Sequence, residues 1–242
     1  MKTFVVGDVH GMAEALDGLL ARLAPVPGPE GDRVVFVGDL LDKGPDSAGV
    51  VRRVRALRES GVEVVLVEGN HEDKHRRFRR NLVVRPEVAA QMGGAAEMAE
   101  ITAALSPEDV AFLATSVPYV RLDGGFVVVH GGVPPVLSSL DAPKAFDVLC
   151  RTRFVSAETG RMLALGTETE ADPFWATVYD GRFGHVLFGH EPFVGTEPRR
   201  FPHATGLDTG AVYGGSLTAA VVAGGVVEGF VSVPTPAFAT RD

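Results

Sequence analysis

Short apolar runs along the chain alternate with polar, glycine-flanked segments and with stretches of helical periodicity. Five runs of three or four residues predict buried strands, at residues 4–6, 34–37, 64–67, 126–129 and 186–188. Each of these strands ends in a polar loop. Because glycines let such loops turn sharply at neighbouring strand ends, we expect the loops to share one site.

Helical periodicity marks segments between the strands. Leucines recur at helical spacing within residues 12–24, and a second helix, rich in valine, stops near Gly61. Ser106 marks the start of a further helix, because its hydroxyl is a capping group and the proline after it suits a first turn. Residues 216–222 and 226–233 flank two glycines and predict a β-hairpin.

Together these elements predict a mixed α/β (α+β) fold in which helices flank the outer faces of a β-sandwich. No linker or low-complexity segment divides the chain, so we expect one domain over residues 1–242. Within that domain we expect a helical insertion around residues 76–116, with residues 76–100 as its most mobile part.

The composition, with 45% hydrophobic and 22% charged residues, is that of a compact globular protein. Cys150 is the single cysteine, so no intramolecular disulfide is possible and we expect a reducing, cytoplasmic location. Cys150 itself is expected to fill core space. No leader-like segment or apolar run of about 18 residues occurs, so we expect no membrane partner. The net charge of -8 argues against DNA as a partner, although a local basic patch would still bind a polyphosphate.

The polar loops carry oxygen and nitrogen ligands and no thiolate. The candidate metal ligands are Asp8, His10, Asp39, Asn70, His130 and His190. This donor set favours Mn²⁺, with Fe, Zn²⁺, Co²⁺ or Ni²⁺ as alternatives, over an all-oxygen calcium or magnesium site. Each residue alone has an ordinary explanation, because strand-end aspartates often cap turns and single histidines are usually satisfied polar groups.

Three of the loops form an ordered set of motifs. Residues 7–11 are GDVHG, residues 38–44 are GDLLDKG and residues 69–72 are GNHE. They resemble the signature motifs of the PPP-type, calcineurin-like metallophosphoesterases, which include serine/threonine protein phosphatases and symmetrical diadenosine tetraphosphate hydrolases. His130, His190 and residues 207–210 extend the resemblance almost to the end of the chain.

The resemblance implies two divalent metal ions and a role for each ligand. Asp8 and His10 bind one metal, Asp39 bridges both, and the second is completed by Asn70, His130 and His190. A water between two such ions attacks phosphorus directly, without a phosphoenzyme. The intact ligand set argues against a binding module that has kept the fold and lost the chemistry.

The family match assigns His71 as the general acid that protonates the leaving oxygen, with Asp42 holding it in place. A carboxylate bonded to an imidazole stabilises its protonated form, as this role requires. The alternative is a purely structural histidine.

Lys43 is the main clue to the substrate. The family's protein phosphatases usually have arginine there, and lysine followed by residues 44–47 is more similar to the diadenosine tetraphosphate hydrolase branch. Residues 130–135 and 207–215 also look like that branch, although bacterial protein phosphatases share such segments, and Asp42 favours the phosphatases. The leading expectation is symmetrical hydrolysis of diadenosine tetraphosphate to two ADP. A serine/threonine or tyrosine protein phosphatase and a hydrolase of capped RNA are the alternatives.

Further substrate contacts are expected from Lys43, Asn70, Arg151, Arg153 and Tyr213. Either arginine would contact a second phosphate or form a surface salt bridge. The basic run of residues 74–80 would hold distal phosphates or be a solvated helix face. Tyr213, and with it Trp175 and Tyr179, would stack on a base or serve as packing.

Overall fold

The computed structural model of the chain describes residues 1–240. Its strands are β1 (Thr3–Val6), β2 (Arg33–Phe36), β3 (Glu63–Leu66), β4 (Val120–Leu122), β5 (Phe126–Val128), β6 (His185–Phe188), β7 (Arg199–Phe201), β8 (Ala204–Gly206), β9 (Ser216–Ala223) and β10 (Val226–Pro234). Its helices are α1 (Ala13–Leu23), α2 (Ser47–Glu59), α3 (Asn70–Val84), α4 (Pro86–Gln91), α5 (Ala95–Ala104), α6 (Pro107–Leu113), α7 (Ala145–Arg151) and α8 (Trp175–Val178).

The strands form two mixed five-stranded sheets. The first has the order β10-β9-β1-β2-β3, in which β1, β2 and β3 are parallel and β9 is antiparallel to β1. The second has the order β4-β5-β6-β8-β7, with β5, β6 and β8 parallel between antiparallel edge strands. The predicted mixed α/β architecture is confirmed.

The two sheets pack face to face and each buries its other face under helices. Val5, Val35 and Leu187 belong to the core between the sheets. Side chains alternate along a strand, so Phe4 and Val6, on either side of Val5, join the separate core under α1, α2 and α6. The central strands are buried on both faces, which explains why they appear in the sequence as continuous apolar runs.

Helix starts follow from local capping chemistry. The Asp46 carboxylate accepts a hydrogen bond from Gly49 N (2.7 Å) and so caps the first turn of α2. Ser106 caps α6 as the sequence predicts, since its Oγ accepts from Asp109 N (3.1 Å) while the Asp109 carboxylate accepts from Ser106 N (2.9 Å). Among the described residues, no helix is long and apolar enough to span a membrane.

Trp175 and Tyr179 are packing residues, and the alternative that they stack on a base is wrong. Both are buried in the core outside the second sheet, where Trp175 contacts Phe188 at 4.9 Å between ring centroids. The Tyr179 hydroxyl donates to Gly184 O (3.0 Å). Cys150, in α7, is buried, and burial raises the pKa of its thiol, as expected of a core-filling residue.

Candidate metal centre and active site

The polar loops that follow β1, β2, β3, β5 and β6 meet at one end of the sandwich. Backbone hydrogen bonds tie the first two together, because His10 N donates to Asp39 O (2.9 Å) and Gly11 N to Leu40 O (2.9 Å). The loops approach so closely that a Cβ on Gly69 would lie 2.2 Å from Asp39 Oδ1. Glycine at this position is therefore required for the site to form.

The backbone at this end of the molecule is strained. Positive φ angles occur at seven non-glycine residues in the described part of the chain, and five of these lie in the site loops: His10 (45°), Asp39 (52°), Asp42 (67°), Lys43 (67°) and His190 (71°). Such conformations persist only where the surrounding structure enforces them, and they concentrate at functional sites.

Glu72 enforces the loop that follows β2. Its buried carboxylate, in the first turn of α3, accepts hydrogen bonds from the backbone N–H groups of Asp39 (2.7 Å), Leu40 (2.8 Å), Leu41 (3.3 Å) and Gly69 (3.1 Å). Glu72 lies inside the third motif, but no role was predicted for it from the sequence. Its position after Asn70 and His71 was the available signal.

The Asp39 carboxylate lies at the centre of a histidine cluster. Its Oδ2 atom is 3.6 Å from His10 Nε2, 3.3 Å from His130 Nε2 and 3.8 Å from His71 Nε2. Candidate ligand atoms of two groups lie within 4.8 Å of one another: His10 with Asp39 and His71, and Asp39 with His130 and His190. One carboxylate is thus shared by two groups, as expected for a bridging ligand.

The remaining predicted ligands lie at the edges of this cluster. Asp8 Oδ2 is 3.9 Å from His10 Nε2 and accepts a hydrogen bond from His190 N (3.0 Å). Asn70 Oδ1 is 2.9 Å from His130 Nε2. The structure therefore brings all six predicted ligands together, and it adds His71 to the group around His10.

Hydrogen bonds to the far ring nitrogens fit these histidines for cation binding. His10 Nδ1 donates to Leu41 O (2.8 Å) and His130 Nδ1 to Val37 O (3.0 Å), so that each Nε2 atom faces Asp39. His190 Nδ1 is buried and has no hydrogen-bond partner among the described residues. Carboxylate oxygens and oriented imidazoles are a donor set that fits two divalent cations.

The pKa shifts of the buried groups in the cluster also favour the binding of positive charge. Burial and the neighbouring Asp208 carboxylate raise the pKa of Asp8 well above its ordinary value, and burial raises the pKa of Asp208 to about 6. Burial opposes the charge of His130, but Asp39 and Asp8 together raise its pKa to about 9. Burial lowers the pKa of His10 to about 3, which keeps this ligand neutral. Asp208 was not among the predicted site residues.

The predicted pair of His71 and Asp42 is present, and a second histidine joins it. Asp42 Oδ2 lies 2.6 Å from His71 Nδ1, and Asp42 Oδ1 lies 2.5 Å from His75 Nε2. Burial alone would raise the pKa of Asp42, but the hydrogen bonds to both imidazoles hold it well below its ordinary value. His75 was missed, although its i,i+4 spacing from His71 on one helix was a usable signal.

The predicted substrate residues are divided between two places. Lys43 Nζ lies 3.1 Å from His10 Nε2 and 5.4 Å from the centroid of the Tyr213 ring, so both residues border the cluster. Arg153 borders it too, since its Nη2 donates to His190 O (2.7 Å) while its Nε pairs with Glu191 (3.0 Å). Arg151 instead pairs with Asp73 and Asp147 and lines a neighbouring cleft, whose lining contains none of the proposed metal ligands.

The family model for calcineurin-like phosphoesterases matches residues 1–197. The chain therefore belongs to the calcineurin-like phosphoesterase family, whose members are metal-dependent hydrolases.

Among its curated relatives, the asymmetrical bis(5'-nucleosyl)-tetraphosphatase PrpE of Bacillus subtilis is 31% identical over 231 residues, which cover 88% of each chain. A solved structure of a protein designated a diadenosine tetraphosphatase matches with a TM-score of 0.72 and 27% identity, over 97% of this chain and 93% of that one. A serine/threonine phosphatase from Saccharomyces cerevisiae matches with a TM-score of 0.56 and 16% identity, over 100% of this chain and 82% of that one, and shows the shared fold alone.

Proposed function

We propose that this chain hydrolyses the phosphoanhydride bridge of dinucleoside polyphosphates, with diadenosine tetraphosphate as the representative substrate. The observation that carries the chemistry is the buried Asp39 carboxylate shared between two histidine groups. The substrate class is supported by relatives that are named tetraphosphatases and match nearly the whole chain.

The metal ligands divide into two sets around Asp39. We propose that Asp8 and His10 hold one cation, that Asn70, His130 and His190 hold the other, and that Asp39 is shared. Two divalent cations, for which we propose Mn²⁺, would supply the Lewis acidity that activates water and neutralises phosphate oxygens. The Lys43 ammonium borders the ligands and would add positive charge there. Burial opposes its charge, but Asp39 and Tyr213 together raise its pKa above the ordinary value.

His71 would supply the proton that the leaving oxygen takes up. Asp42 accepts from His71 Nδ1, which fixes the ring and leaves Nε2 as the donor on the side of Asp39. The hydroxyl part of water would then remain on phosphorus, while its other proton passes to solvent. The leaving oxygen would take the His71 proton, and His71 would regain a proton from solvent. A nucleotide is a good leaving group, so this proton matters less for an anhydride than for a phosphomonoester.

The position of cleavage separates two forms of this proposal. The sequence led us to expect symmetrical cleavage of diadenosine tetraphosphate to two ADP, whereas the relatives are named asymmetrical. We propose asymmetrical cleavage, which gives AMP and ATP in equal amounts.

A protein phosphatase is the second candidate function. It is favoured by the intact pair of His71 and Asp42, because departure of an alkoxide depends on a general acid. Capped RNA shares the anhydride linkage and is the third substrate to test.

The test gives purified enzyme and Mn²⁺ equal concentrations of diadenosine tetraphosphate, a phosphoserine peptide and capped RNA, and separates the products by chromatography. We expect the highest kcat/KM on the dinucleotide, with AMP and ATP as products and loss of activity in Asp39→Asn. ADP as the only product would restore symmetrical cleavage. Faster turnover of the peptide or of capped RNA would replace the proposal with the corresponding alternative.

A further inference from the structure

A positively charged cleft lies beside the metal centre. We call it the arginine cleft: it is lined by Arg76, Arg77 and Arg80 of α3 and Arg151 at the end of α7, and has a volume of about 490 Å³. The lining also contains the carboxylates Asp73 and Asp147, so arginines exceed acids by four to two. This local excess stands out in a chain whose net charge is -8.

One buried carboxylate organises the cleft. Asp73 pairs with Arg76 Nη2 (2.5 Å), with Arg77 Nε (3.0 Å) and with Arg151 Nη2. Asp73 therefore holds together three guanidinium groups from two helices that would otherwise repel one another. Two further pairs join Arg76 with Glu68 (2.9 Å) and Arg151 with Asp147 (3.3 Å). Each guanidinium has five N–H donors, so most of the donors of the three groups are not used by these bonds.

Phe146 and Arg80 also line the cleft, and each contributes to it in a different way. The Phe146 ring centroid lies 5.9 Å from the Arg76 guanidinium carbon and 6.0 Å from that of Arg151, so the ring packs against both. Arg80 is exposed and forms no ion pair within the described part of the chain. A solvated helix face would not include a second helix that contributes an arginine and an aromatic ring.

Two elements connect the proposed metal ligands with the lining of the cleft. On α3, the helical rise places Arg76 and Arg77 about 10 Å, and Arg80 about 15 Å, along the axis from Asn70. On the other element, a Cβ on Gly131, the neighbour of His130, would lie 2.9 Å from Arg151 N. A ligand that reaches from the metal centre into the cleft must therefore be elongated and anionic.

We propose that the arginine cleft binds the non-reacting phosphates of a polyphosphate substrate while the scissile phosphate lies at the metal centre. This inference rests on the proposed dinucleotide hydrolysis for its choice of ligand. Planar guanidinium groups bind phosphate oxygens in bidentate fashion, so several in one row suit a chain of linked phosphates. A phosphomonoester is too short to use them.

The test compares KM for diadenosine tetraphosphate with KM for p-nitrophenyl phosphate in Arg80→Glu and in Arg77→Ala. Hydrogen bonds to charged groups are strong enough that we expect KM for the dinucleotide to rise at least about tenfold, with kcat little changed. KM for p-nitrophenyl phosphate should stay within about twofold. Arg199→Glu on strand β7 is the matched control, because it makes the same charge change at an exposed arginine outside the cleft.

A second measurement separates the cleft from the proposed substrate. With free Mn²⁺ held constant, tripolyphosphate should inhibit hydrolysis of p-nitrophenyl phosphate more strongly than orthophosphate does, and Arg80→Glu should remove most of that difference. If the enzyme leaves the dinucleotide intact but shows this difference in inhibition, the proposed function is wrong and the binding of linked phosphates in the arginine cleft is supported. The proposal that the arginine cleft binds phosphates would be overturned if KM for the dinucleotide and inhibition by tripolyphosphate were unchanged in both variants. A rise in KM for a phosphopeptide alone would also overturn it.

Discussion

Replacing Glu72 with glutamine tests whether one buried carboxylate holds the active-site loop in its strained form. The wild-type side chain accepts four backbone N–H bonds, two at Oε1 from Leu40 and Leu41, and two at Oε2 from Asp39 and Gly69. Glutamine keeps one oxygen and puts an NH₂ group in place of the other. Two buried donors would then face a donor.

The expected loss follows from those two donors. A buried N–H group without an acceptor costs about 1–3 kcal/mol, so the substitution should lower the free energy of unfolding by about 2–6 kcal/mol. This is a large part of the about 5–15 kcal/mol that typically stabilises a domain. Because Asp39 and Asp42 have positive φ angles in this loop, we also expect weaker Mn²⁺ binding.

The assay is urea unfolding in the presence of a chelator, which removes the contribution of bound metal to stability. Glu63→Gln is the control, because its exposed side chain makes one surface ion pair, with Arg33 (2.7 Å), and such pairs contribute about 0–1 kcal/mol. If the unfolding free energy of Glu72→Gln lies within about 0.5 kcal/mol of the wild-type value, Glu72 does not hold the loop after β2 in place.

Three further predictions concern a positioning residue, a proton and the core. His75→Gln removes the hydrogen bond between the His75 imidazole and Asp42, which in turn holds the proposed general acid His71. We expect kcat to fall about tenfold for an alkyl phosphate, whose leaving group needs a proton, but little for p-nitrophenyl phosphate. An equal fall for both substrates would indicate a purely structural role. Below its pKa of about 9, His130 carries a proton in the metal-free protein that metal binding must displace. Calorimetric titration with Mn²⁺ at pH 7.5, in buffers of different ionisation enthalpy, should therefore show release of about one proton or more. The apparent affinity for Mn²⁺ should also rise as the pH rises towards 9. If no proton is released, His130 is not protonated in the metal-free protein. Trp175→Ala should cost about 3–5 kcal/mol in urea unfolding, because the ring is fully buried, and a loss below about 1 kcal/mol would contradict its packing role.

The sequence predicted the whole first sheet and the central strands β5 and β6 of the second, but not the other strands of the second sheet. Central strands such as β1 and β6 are buried on both faces, and burial leaves continuous apolar runs. The three-residue strands β4, β7 and β8 and the short helices α7 and α8 were missed. Strand β7, for example, is RRF and largely exposed at a sheet edge, so no apolar pattern marks it.

At the site, the sequence alone determined which loops carry the candidate ligands, because each ligand follows an apolar strand within a short glycine-flanked motif. It did not reveal the roles of Glu72 and His75, whose partners lie 31 or more residues away for all but one bond. Those contacts exist only because the start of α3 packs against the loop after β2.

The arginine run shows the same division. The basic run of residues 74–80 predicts a positively charged helix whether or not another element packs beside it. A solvated helix face was therefore an equally simple interpretation. Only the packing of α7 beside α3 brings Arg151 and Phe146 to Arg76 and Arg77, around the single carboxylate of Asp73. Apolar periodicity and local motifs are properties of neighbouring residues, which the sequence contains, whereas a cleft depends on which distant surfaces meet, and the tertiary structure decides that.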